Sequence, residues 1–116
     1  MSNIPANIAF GKRRIRMVVM NGVPKFSASD VCNILGYYNA SKVVGRYCES
    51  LPEYIKMETS GGPQNVRILK PSDILDIFKH SKRPMAKKFQ KWFENKVFPA
   101  FHSQVNVAML LEIAAK

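Results

Sequence analysis

The residues of this chain best suited to chemistry are cations at helical spacing. On a helix read over residues 84–95, Arg83, Lys87, Lys88 and Lys91 fall on one arc, with Glu94 near them. Met85, Ala86, Phe89, Trp92 and Phe93 fall on the opposite arc, each residue turning by about 100°. Lysines three and four apart with few acids to pair repel one another, and a phosphate backbone relieves that repulsion. The plainer reading of the same arc is a solvated basic face. A second set is Asn39, Ser41, Lys42 and Arg46. These stand at the start of a short helix over 40–48, with Lys42 and Arg46 one turn apart and away from Val43, Val44 and Tyr47. Short polar groups beside two long donors suit base edges. Together with a preceding helix from Ser27 to Leu35 they have helix-turn-helix proportions, as any capped helix pair does. A third set, Arg14 and Arg16, alternates along a strand.

Other chemistries find less support. Gly61-Gly62 is followed by neither a Lys-Ser/Thr pair nor a helix, so a hairpin turn explains it better than a phosphate loop. His80, His102, Cys32 and Cys48 have no metal-ligand spacing, and Cys32 reads as a core residue of its helix. No nucleophile stands beside a base, and the eight acids are scattered. The expectation is a non-enzyme with no cofactor and no metal.

The elements that must carry these cations are read from periodicity and punctuation. Residues 14–20 alternate as a strand with Ile15, Met17 and Val19 on one face. Asn21-Gly22 is a strong hairpin signal. The return strand, Val23 to Phe26, is short, and Pro24 marks it as an edge or a quick end. Ser27 caps the first helix, whose face is Ala28, Val31, Cys32 and Leu35, and Gly36 stops it. Asn39 or Ser41 caps the second, which Gly45 weakens or opens to close backbone approach. Tyr54–Glu58 and Asn65–Leu69 read as a second hairpin, and Pro71 with Asp73 opens a third helix. The first eleven residues read as a lead-in, and 105–115 as a final apolar helix that needs something to pack on. The expected fold is α+β: two antiparallel hairpins and four short helices in the order β-β-α-α-β-β-α-α.

With 116 residues the chain is one domain in size, and 47% hydrophobic and 22% charged residues are ordinary for a packed one. Its charge is not ordinary. Eighteen Lys and Arg against eight Asp and Glu leave a net +10. Such a surplus points to a polyanion, foremost nucleic acid, then an anionic membrane or an acidic protein. No apolar run approaches the ~20 residues of a membrane span. The basic residues of the N-terminus follow its apolar ones, the wrong order for a signal peptide. Two cysteines fit a reducing compartment. The expectation is an intracellular protein without a membrane partner.

Read together, the motifs resemble the Bro N-terminal domain family of phage and prophage antirepressor-type proteins and large DNA viruses. The resemblance runs from about Phe10 to Phe101. It is carried by Phe26-Ser-Ala-Ser-Asp-Val-Cys-Asn-Ile-Leu-Gly36 with Tyr37 and Asn39, by Gly61-Gly-Pro-Gln64, by Ser81-Lys-Arg-Pro-Met-Ala-Lys-Lys-Phe-Gln-Lys-Trp92, and by Val97-Phe-Pro99. One departure is Lys25, where the family often has an aromatic. The resemblance implies a DNA-binding module, often fused to a variable C-terminal domain. The domain is taken as 12–102, after a lead-in of 1–11 and before an apolar segment of 103–116. The compartment implied is the bacterial cytoplasm for a prophage, or the host cytoplasm or nucleus for a eukaryotic virus. DNA is the expected partner, with RNA the other polyanion the charge admits and a second copy a candidate through the C-terminal segment. The rival is a protein-interaction module that inactivates a repressor protein without touching DNA.

Overall fold

The computed structural model describes residues 3–48, 51–97 and 99. Five antiparallel strands form one sheet: β1 (Asn3–Phe10), β2 (Arg13–Met20), β3 (Val23–Ser27), β4 (Tyr54–Thr59) and β5 (Gly62–Leu69), in the spatial order β1-β2-β3-β5-β4. Helices α1 (Ala28–Leu35) and α2 (Ala40–Tyr47) lie between β3 and β4 in sequence. Helices α3 (Pro71–His80) and α4 (Pro84–Trp92) follow β5, and a π-helical turn, Phe93–Val97, continues α4. The α+β class and the order of the eight expected elements hold. The expected terminal helix over 105–115, and His102, lie outside the described residues.

The main correction is at the N-terminus. Residues 3–10, read as a lead-in, form an edge strand paired with β2 from Asn3↔Met20 to Phe10↔Arg13. A two-residue turn, Gly11-Lys12, joins them. The reason is burial: Ile8 is 1% exposed, and the Phe10 ring meets those of Phe89 and Trp92 at 4.9 and 5.1 Å. Asn21 and Gly22 both take positive φ, 53° and 81°, as a hairpin turn that follows strand twist requires. β3 is not an edge, because β5 lies on its far side. β5 pairs only with Phe26 and Ser27, however, so no bond is demanded of Pro24. The second hairpin turn is tighter than read: Thr59 pairs with Gly62, and Pro63 sits within β5 opposite Glu58. By the alternation of an antiparallel ladder its ring nitrogen faces away from β4.

Sequence explains the helix ends. The Ser27 hydroxyl accepts the N–H of Asp30 at 3.3 Å, and Gly36 ends α1 at φ 91°. Asn39 caps α2, its side-chain oxygen accepting the N–H of Lys42 at 3.1 Å. Proline stands in the first turn of both α3 and α4. α1 is the central helix, touching β2, β3 and β5 as well as α2 and α4. The core between sheet and helices is rich in rings. Phe93 meets Phe26 edge-on at 5.3 Å and Phe89 at 4.9 Å, and Phe78 meets Phe89 at 5.6 Å, geometries that add to the burial of each ring. On α4, Ala86 and Phe89 are buried and Trp92 is half-buried against Phe10, Phe89 and Phe93. Met85, expected on the apolar arc, is exposed in the first turn.

Candidate nucleic-acid interface

The expected site residues fall into three groups. The first surrounds α2. Asn39, Ser41, Lys42 and Arg46 are all exposed. The wheel set Lys42 and Arg46 apart from Val43 and Tyr47, yet these four residues, with Tyr37, Tyr38 and Asn39, line one hollow of about 300 Å³. Lys42 and Val43, like Arg46 and Tyr47, are sequence neighbours only about 100° apart around the helix, so the polar and apolar arcs share a border and both edge the hollow. Arg83 comes to the same place from the start of α4: its guanidinium lies over the Tyr37 ring, 4.6 Å from the centroid. The Tyr37 hydroxyl is 2.9 Å from the Ser81 hydroxyl, and Tyr47 stacks on His80 at 4.8 Å and 9°. Sequence reading takes Tyr47 as an apolar helix position, Tyr37 as a motif residue and His80 as a metal candidate set aside, and places none of them, nor Tyr38, in the site. A tyrosine pair straight after the Gly36 helix stop was the signal that could have found them, since rings in a loop lack the periodicity of a core.

The second group is on α4. Lys87, Lys88 and Lys91 are exposed, and with Gln90 and Glu94 they border a shallow hollow. The Glu94 carboxylate accepts the side-chain amide of Gln90 at 2.9 Å. The third group divides. Arg14 is exposed and, with Arg13, borders a hollow shared with Asp30 and Asn33. Arg16 is turned inward instead. Its Nε and a terminal nitrogen reach the two Asp30 carboxylate oxygens at 2.9 and 3.0 Å, and its backbone N–H donates to Asp30 at 2.8 Å. A longer bond, 3.3 Å, runs to the Ser27 hydroxyl. The Asp30 carboxylate thus extends the β2 ladder where β3 ends, and its hydrogen bond raises the Arg16 pKa above its usual value. The structure gives Arg16 a fold-building role that alternation alone did not reveal.

Lys25, the departure from the family pattern, reaches Glu53 at 2.7 Å and so ties β3 to the segment before β4. The two thiols are poor nucleophiles. Burial pushes Cys32 up to about 11; burial, then the nearby Asp73 and Asp76 charges, pushes Cys48 up to about 12. No helix among the described residues is long and apolar enough to cross a membrane.

Comparison with known families matches residues 14–99 to the BRO family, N-terminal domain. The chain belongs to the BRO family. The match takes in β2 to β5, all four helices and the π turn, and therefore every expected site residue of this BRO domain. β1 precedes the matched span although it completes the sheet. No curated protein and no solved structure matches the chain.

Proposed function

We propose that this BRO domain is a non-enzymatic DNA-binding module of a viral or prophage regulatory protein. The observation that carries the reading is the convergence of Asn39, Lys42 and Arg46 on one exposed hollow along α2, with Arg83 held beside it on Tyr37. Lys87, Lys88, Lys91 and Arg14 are the phosphate contacts, which orient a protein on a duplex without reading sequence. Asn39, Ser41, Lys42 and Arg46 face base edges. Asn39 spends its carbonyl oxygen on the Lys42 N–H, which leaves its NH2 group as the donor.

Fluorescence-anisotropy titrations at several salt concentrations test this. Affinity for any duplex falls log-linearly with salt. Neutralising Lys87 and Lys91 weakens every duplex alike and lowers the salt slope by about 1 per lost phosphate contact. Arg46→Ala costs about 1–3 kcal/mol on a selected site and much less on random DNA. Absence of duplex binding at low salt overturns the reading and leaves the repressor-binding alternative, for which a pull-down with the cognate repressor is the measurement.

A further inference from the structure

We infer that the hollow between Tyr37 and Tyr47 takes one unstacked nucleobase from bound nucleic acid, with Tyr38 closing over it. This rests on the nucleic-acid reading above and adds to it a preference for unpaired or extruded bases. The walls are aromatic and fixed from behind. Tyr37 is held by the Ser81 hydroxyl at 2.9 Å and by the Arg83 guanidinium at 4.6 Å. Tyr47 is held by its stack on His80. Rings already in place lose little freedom when a ligand arrives, which lowers the cost of binding. Tyr38 is fully exposed, and two side-chain torsions suffice to swing it onto a guest.

The chemistry of the rim selects the guest. The two charged residues lining the hollow, Lys42 and Arg46, are both cations, so the guest carries negative charge beside an apolar planar body. That description fits a nucleotide, its base between the tyrosines and its phosphate at the rim. The volume, about 300 Å³, lies at the small end of ligand sites. It suits one ring system and is too small for a helix, whose width is about 10–12 Å.

The test compares a fully paired duplex with the same duplex carrying one unpaired 2-aminopurine, by anisotropy and by 2-aminopurine emission. The wild-type chain is expected to bind the bulged duplex tighter by on the order of ten-fold, the scale of one base–aromatic stack, and to quench the probe. Tyr38→Ala loses both the preference, read as the ratio of bulged to paired affinity within each variant, and the quench, and Tyr38→Trp restores them. Tyr38 is exposed, so circular dichroism of each variant stays native. Equal wild-type affinity for the two duplexes, without quenching, overturns this inference and leaves the duplex-binding reading intact. A preference that survives Tyr38→Ala overturns it too. Failure to bind either duplex at low salt removes both readings together.

Discussion

Arg16 offers a sharp test of how the cations divide between holding the fold and holding a partner. Sequence alternation placed it with Arg14 as a surface cation, whereas the structure ties it to Asp30. The pair is partly shielded: the side chains are 31% and 15% exposed. Fully exposed ion pairs contribute about 0–1 kcal/mol, and hydrogen bonds to charged groups about 1.5–3 kcal/mol where water is excluded. A bidentate pair of intermediate exposure falls between, at about 1–2 kcal/mol for Arg16→Ala. Asp30→Ala removes more, because the Arg16 N–H at the end of the β2 ladder loses its acceptor and α1 loses its first-turn acid. That adds on the order of 1 kcal/mol, for about 2–3 kcal/mol in all.

Urea unfolding followed by circular dichroism measures these values, and the double variant gives the coupling, expected near 1 kcal/mol. On a domain of this size each kcal/mol lowers Tm by roughly 4–8 °C. Duplex binding by folded Arg16→Ala keeps the wild-type salt slope, whereas Arg14→Ala lowers it by about 1. The reasoning fails if Arg16→Ala leaves stability within about 0.5 kcal/mol, the scatter of neutral surface changes, and lowers the salt slope as Arg14→Ala does.

Further outcomes follow from the geometry. Phe10→Ala, which opens the contact of β1 with Phe89 and Trp92, costs about 3 kcal/mol and red-shifts the Trp92 emission; an unchanged spectrum and stability would mean that β1 is not docked. Native thiols react with iodoacetamide at pH 8 more than ten-fold slower than in urea, since values of about 11 and 12 leave far less thiolate than the ordinary ~8.5. Because the unfolded chain gives up these protons first, stability falls as pH rises above about 9, and it falls less steeply when both cysteines are alanine; parallel curves would refute this. Asn39→Asp keeps the α2 cap and the stability but loses duplex affinity, whereas Asn39→Ala also costs about 1 kcal/mol of stability; equal affinity for wild type and Asn39→Asp would take Asn39 out of the interface.

Local grammar made most elements readable. Asn21-Gly22, Ser27, Gly36 and Pro71 each impose a backbone geometry that few alternatives satisfy, and these boundaries hold. β1 was legible as well: Ile4, Ala6, Ile8 and Phe10 alternate up to Gly11. Pro5 masked it, although an edge strand tolerates proline. The rest depends on pairing across long stretches of chain. Nothing near Arg16 announces that Asp30 will stand at the end of its strand, and nothing near Tyr47 announces His80. The first contact arises only when α1 folds back on the β2–β3 hairpin and the second when α3 is laid beside α2, arrangements that local propensity does not encode. The cationic candidates were therefore legible as residue types, and their division into surface and structural roles was not.

The same long-range contacts decide how firmly the proposed interface is held. An eight-residue helix does not persist alone in water, and within α2 only Val44 is buried. Its position depends on the Asn39 cap at one end and, at the other, on the Cys48 thiol near the Asp73 carbonyl and the stack of Tyr47 on His80. Tyr37, just before it, is tied to the α3–α4 joint through Ser81 and Arg83. α2 thus sits on the core through Val44, with Ala40, Val43 and Tyr47 partly buried against it, and the polar and aromatic contacts at its two ends fix its position. The cations expected to read bases therefore stand on a helix fixed at both ends and on the core, and the lysines expected to grip phosphates stand on one anchored by Ala86 and Phe89. Side chains held in this way before a partner arrives lose little freedom on binding, which lowers its cost.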